Sequence, residues 1–160
     1  MTAGQDIPIG MGEYAIAFRP GERLTMILGS CVGVFLWDGS AKVAAALHAM
    51  LPEAPPNSDA PARYVDSGVP ILLDAAIKAG ACRGRLEAKI FGGANMFPKL
   101  ARTFIAHLGT RNAEAARRAL QAIGVLIVAE DLGGTAGRVA TIDAESGAVE
   151  IRLGDSRRRI

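Results

Sequence analysis

The feature that most restricts this fold is a pair of apolar runs, residues 32–37 and 42–48, on either side of Asp38-Gly39-Ser40. Asp-Gly is a turn dipeptide that joins antiparallel strands, so the spacing predicts a β-hairpin. Cys31 opens its first strand and His48, 17 residues on, closes its second. A hairpin brings those two ends together, and everything else must be arranged around it.

The rest of the chain alternates. Residues 14–18 and 24–28 read as short strands. Val69, Leu72, Leu73, Ala76 and Ile77 recur at helical spacing and predict one buried helix face that ends near Gly80. Pro70 fits such a helix if it falls in the first turn. Residues 86–91 predict a strand closed by Gly92-Gly93. A second helix is expected after Asn112 as its N-cap, with Ala113, Ala116, Leu120 and Ile123 as its apolar stripe and Glu114 and Arg118 on its outer face. Residues 125–129 predict a buried strand, and 138–142 with 148–153 a closing hairpin around Glu145-Ser146-Gly147. About eight strands and two main helices make an α/β fold: a single-domain layered α/β sandwich with a mixed sheet, over residues 1–160. The proline-rich stretch 52–61 reads as a long surface loop and a candidate rim of a site.

Composition removes several classes of function. Half of the 160 residues are hydrophobic, enough to build a core without disulfides. A net charge of +2 is too small to argue for nucleic acid, and Arg157-Arg158-Arg159 reads as a solubilising tail. Residues 24–37 are the longest apolar stretch of interest, too short for a membrane span, and no signal-peptide or lipidation pattern appears. A cytoplasmic protein with reduced thiols is expected. Two cysteines and two histidines with no CxxC or HExxH leave no metal site and call for no cofactor. Gly92-Gly93 and Gly133-Gly134 lack the spacing of phosphate loops.

The chemistry concentrates at Leu28-Gly29-Ser30-Cys31-Val32-Gly33. A strand ends in Gly-Ser, presents a cysteine and resumes. A thiolate attacks carbonyl carbon, and backbone N–H groups around Gly29 and Ser30 suit a developing oxyanion. His48 is expected within reach of the thiol as general base and acid. Thr25 lies on the preceding strand, where its hydroxyl is expected to accept from the other imidazole nitrogen and fix the tautomer. A thiolate–imidazolium pair predicts alkylation well below the pH of a free thiol. Each residue also has a plain structural reading: Cys31 as a small core side chain, His48 as a satisfied strand end, Thr25 as a β-former. Cys82 is read as structural or incidental, and His107 as having no special role.

Leu28-Gly29-Ser30-Cys31 with His48-Ala49-Met50-Leu51-Pro52 resembles the chemoreceptor glutamine deamidase family, CheD. Gly12-Glu13-Tyr14-Ala15, Arg63-Tyr64-Val65-Asp66, Lys89-Ile90-Phe91-Gly92-Gly93-Ala94-Asn95-Met96-Phe97, Gly109-Thr110-Arg111-Asn112 and Glu130-Asp131-Leu132-Gly133-Gly134 follow in the family's order. The resemblance implies an α/β sandwich related to bacterial toxins that deamidate glutamine, with the family's catalytic cysteine, histidine and threonine on Cys31, His48 and Thr25. It implies hydrolysis of glutamine side chains on the cytoplasmic helices of chemoreceptors, and regulation in some members by a CheC-type phosphatase. His107-Leu108 and the segment 98–106 depart from the family pattern. Three other readings accompany it: a receptor methylesterase, a non-catalytic chemotaxis adaptor, and a thiol redox sensor with a Cys31–Cys82 bond.

Overall fold

The computed structural model describes residues 4–97, 99 and 107–160. Among them the chain runs β1 (Gln5–Pro8), β2 (Tyr14–Ala17), β3 (Glu22–Leu28), β4 (Val32–Asp38), β5 (Val43–Ala49), α1 (Val65–Lys78), β6 (Glu87–Gly92), α2 (Leu108–Ala122), β7 (Leu126–Leu132), β8 (Arg138–Asp143), β9 (Val149–Leu153) and β10 (Ser156–Arg159). The strands form two five-stranded sheets, ordered β1-β3-β8-β9-β10 and β2-β5-β4-β6-β7. Both are mixed: β1 runs parallel to β3 and β7 parallel to β6, while the other pairs are antiparallel. The helices cover the outer face of the second sheet, so the molecule is an α/β sandwich.

The predicted hairpin is the middle of that sandwich. β4 pairs with β5, with Val32 opposite Ala49 and Gly33 opposite His48. Because side chains alternate along a strand, Val32, Val34 and Leu36 join Val43, Ala45, Leu47 and Ala49 against the helices. Phe35, Ala44 and Ala46 face the first sheet, in a second core with Leu24, Met26, Leu28, Phe91 and Ile142. Covering on both faces explains why these strands read as continuous apolar runs.

Asp38 closes the hairpin and is fully buried. It accepts from the N–H groups of Ser40, Ala41 and Cys82 and from the Arg85 guanidinium. Burial alone opposes the charge, but these donors outweigh it and hold the carboxyl well below the usual carboxylate range. The native carboxylate is therefore favoured relative to the unfolded chain, and its contribution is full above about pH 4 and lost as pH falls below that. Asp38→Ala is expected to lower stability by about 3 kcal/mol at neutral pH, read as a shifted urea midpoint, with the gap to wild type narrowing in acid.

Several expectations change. α1 begins at Val65, so Pro70 lies in its second turn rather than its first. The ring is on the exposed face, where water can serve the Asp66 carbonyl that loses its helical partner. Ile77 is 40% exposed, although Val69, Leu72, Leu73 and Ala76 are buried. At about 100° per residue Ile77 sits at the margin of that stripe. The strand expected at 125–129 runs from Leu126 to Leu132 at a sheet edge and is only half covered, with Leu126 72% exposed. Arg157-Arg158-Arg159 is no frayed tail: it pairs as β10 along β9. Arg118 has Glu53 as its carboxylate partner at 4.0 Å. Both side chains are exposed, so the pair adds little. Short polar β1 and β10 escape sequence reading because neither buries a hydrophobic face. No described helix is long and apolar enough to cross a membrane.

Candidate active site

Alternation along the hairpin puts Cys31 and His48 on the same face, towards the first sheet. Cys31 continues the Phe35, Gly33 side of β4, and His48 the Ala44, Ala46 side of β5. His48 is directly opposite Gly33, so Cys31 is its diagonal cross-strand neighbour. Gly33 leaves room between them. A side chain there would meet Met26 Sδ at 2.7 Å. Cys31 is half-buried against the inter-sheet core and His48 is buried.

His48 is oriented by backbone. Its Nδ1 lies 2.9 Å from the Ile9 carbonyl oxygen. A carbonyl only accepts, so Nδ1 carries the proton and Nε2 keeps its lone pair. Nε2 is buried and has no hydrogen-bond partner among the described residues. The Thr25 hydroxyl does not hold the imidazole as the strand spacing predicts. It pairs with the Thr141 hydroxyl at 2.8 Å on the adjacent strand β8. Thr25 reaches His48 one step removed: its carbonyl accepts the Ile9 N–H at 2.9 Å, and Ile9 in turn accepts from His48. No sequence signal marks Ile9, because its contribution is a main-chain oxygen.

Among the described residues the turn before Cys31 is anchored through its carbonyls. Gly29 O accepts from Ala94 N–H at 3.0 Å, Ser30 O from Asn112 Nδ2 at 2.9 Å, and Cys31 O from Gly93 N–H at 2.9 Å. In a trans planar peptide the N–H points opposite the preceding C=O, and no cis bond is present among the described residues. Tying Gly29 O and Ser30 O inward therefore turns the Ser30 and Cys31 N–H groups away from the anchors. That is the orientation an oxyanion site needs.

Behind the turn, backbone packs on backbone. Gly92 has φ +100°, and a Cβ there would collide with Cys31 O. Gly109, in the first turn of α2, lies so close to Gly93 and Ala94 that a Cβ would run into both carbonyls. α2 therefore starts at Leu108, and Asn112 is not its N-cap but a fully buried residue one turn inside. Asn112 was legible in principle. It stands four and eight residues before Ala116 and Leu120, in phase with the apolar stripe. His107 takes the cap position instead. Met96 lies over Gly29, and it and the next residue, Phe97, are exposed. Of the departing segment 98–106, only Lys99 is among the described residues. In the loop 52–61, Pro52 and Glu53 line a groove between α1 and α2.

Burial pushes the Cys31 thiol up, opposed by a hydrogen bond from its own N–H. Burial also pushes His48 down, opposed by the Ile9 hydrogen bond and by the negative charge of Glu13. Both directions favour a neutral thiol beside a neutral imidazole over the ion pair expected from sequence. Iodoacetamide alkylation of Cys31 is therefore expected to rise only through alkaline pH. A reactive plateau at acidic pH that disappears in His48→Ala would show an ion pair instead. Cys82 is at the far end of β4, its N–H on Asp38. A seven-residue strand separates it from Cys31, roughly 20 Å, too far for a Cys31–Cys82 disulfide.

The chain has close relatives along most of its length. A family model described as CheD chemotactic sensory transduction matches residues 50–153. The probable chemoreceptor glutamine deamidase CheD of Pyrococcus horikoshii is 43% identical over 150 residues, 92% of this chain and 92% of that one. The chemoreceptor glutamine deamidase CheD of Thermotoga maritima is 42% identical over 144 residues, 90% of this chain and 89% of that one. The probable chemoreceptor glutamine deamidase CheD of Desulforamulus reducens is 40% identical over 149 residues, 92% of this chain and 90% of that one.

Proposed function

The chain belongs to the CheD family, and on that premise we propose that it is a protein-glutamine deamidase acting on chemoreceptors through Cys31 and His48. The observation that carries the reading is the buried, unpartnered Nε2 of His48 on the same strand face as Cys31. A buried polar atom without a partner is uncommon and calls for an explanation, and a role as proton acceptor for the thiol supplies one.

In this mechanism His48 Nε2 takes the Cys31 proton as sulfur attacks the glutamine side-chain carbonyl carbon. The C–O π electrons move onto oxygen, which the Ser30 and Cys31 N–H groups receive. Collapse expels the nitrogen, which takes the proton from His48 and leaves as ammonia. A glutamyl thioester remains on Cys31. His48 next removes a proton from water and the resulting hydroxide attacks the thioester; collapse breaks the C–S bond, glutamate leaves, and the sulfur takes the proton back from His48. One difficult amide hydrolysis becomes two easier steps. No step calls for a metal or cofactor. Thr25 is proposed to steady the imidazole through the Ile9 peptide.

The substrate is proposed to be the cytoplasmic helices of chemoreceptors, which places the reaction in the cytoplasm, and a CheC-type phosphatase is proposed as a second partner. Exposed Met96, which lies over Gly29, offers an apolar contact for a protein segment at this turn. The test is incubation with receptor cytoplasmic fragments and peptide mass spectrometry. Glutamine-to-glutamate conversion by the wild type is the expected result. Receptor binding without conversion would replace the reading with that of an adaptor.

A further inference from the structure

Asn112 is the one polar side chain of α2 that is fully buried. Its Nδ2 donates to Ser30 O at 2.9 Å and to Met50 O at 3.0 Å. Ser30 immediately precedes Cys31, and Met50 follows His48 by two residues. One amide group from a helix therefore ties together the two chain segments that carry the thiol and the imidazole. Two carbonyl acceptors on one nitrogen settle which end of the amide faces them, since Oδ1 would repel both. Oδ1 itself is buried with no partner among the described residues. A leucine would fill similar space and remove the orphaned Oδ1, but it would leave the Ser30 and Met50 carbonyls without their donor, so the amide is kept for the two bonds that its nitrogen makes.

We propose that Asn112 is a positioning residue that holds the Ser30 peptide so that the Cys31 N–H stays aimed at the oxyanion during acyl transfer, an inference that rests on Cys31 forming an acyl intermediate. The peptide whose oxygen Asn112 grips is the peptide whose N–H belongs to Cys31. With the grip gone the peptide is free to rotate, and the N–H is no longer preorganised. Met50 O, held by the same nitrogen, keeps the end of β5 in register with the turn.

Two reactions of the same thiol should then respond differently. Attack on an activated ester builds an oxyanion, whereas displacement of iodide from iodoacetamide does not. Both can be followed on Cys31 in a Cys82→Ala background without any glutamine substrate, so the outcome is independent of whether receptors are deamidated. In Asn112→Leu and in the isosteric Asn112→Asp, acylation by a p-nitrophenyl ester is expected to fall about 100-fold, the loss typical of one oxyanion donor, while alkylation stays within about threefold of wild type. On receptor fragments the same variants are expected to lose kcat with little change in KM. Equal losses in both thiol reactions, or no loss in acylation, would overturn the proposal. Failure of both variants to fold would overturn it as well, since Asn112 would then be structural. A wild type that acylates but converts no glutamine would instead count against the deamidase reading and leave the clamp standing.

Discussion

Cys31→Ala is expected to reduce glutamine conversion on receptor fragments to background, a loss on the order of 10⁶-fold in kcat. The size follows from the chemistry. Without the sulfur no covalent intermediate forms, and water must attack an unactivated amide with only the turn's N–H groups to help. His48→Ala is expected to cost less, about 10³-fold, because the thiol remains and only proton transfer is lost. The pair of variants also separates roles. Since burial favours the neutral thiol and neutral imidazole, the alkaline rise in Cys31 alkylation is expected to survive in His48→Ala while deamidation does not. Cys82→Ala, at an exposed position about 20 Å away along β4, is expected to leave conversion within about twofold. A large loss in that variant would mean the wrong thiol has been assigned.

The second large effect is expected at a residue that touches no substrate. Gly92→Ala combines two penalties: φ +100° is strained for any side chain, and the new Cβ would meet Cys31 O. The turn cannot yield easily, because Gly93 N–H holds the same carbonyl and Gly109 backs Gly93 from α2. We expect roughly 3 kcal/mol of destabilisation and a fall in kcat beyond about 100-fold, since displacing a nucleophile by about 1 Å is enough for that loss. Gly80→Ala supplies the comparison. Gly80 has φ +113°, but a Cβ added there would have nothing within 4 Å. It carries the backbone strain without the push on Cys31, so stability is expected to fall and activity to stay. Equal activity in the two variants would show that the Gly92 contact is not transmitted to the thiol.

What could be read without coordinates follows from period and local chemistry. The apolar runs around Asp38-Gly39-Ser40 determine the hairpin, and two-residue alternation then determines that Cys31 and His48 share a face. The same reasoning locates α1, β6 and the β8–β9 hairpin, because each has a hydrophobic period and a turn or capping residue to end it. It fails where a residue's role depends on something distant in the chain. Asn112 resembles an N-cap locally, yet Gly109 packing on Gly93 and Ala94 starts α2 a turn earlier and drives Asn112 into the core. Thr25 has the right spacing for a triad, yet the twist and pairing of the first sheet turn its hydroxyl to Thr141 and leave the Ile9 carbonyl to orient His48. Local pattern is thus enough to single out Cys31 and His48 as the candidate pair. What holds them is settled in three dimensions, by main-chain atoms and one buried amide brought together across sheets and helix. Neither main-chain oxygens nor long-range packing leaves a periodic mark along a chain.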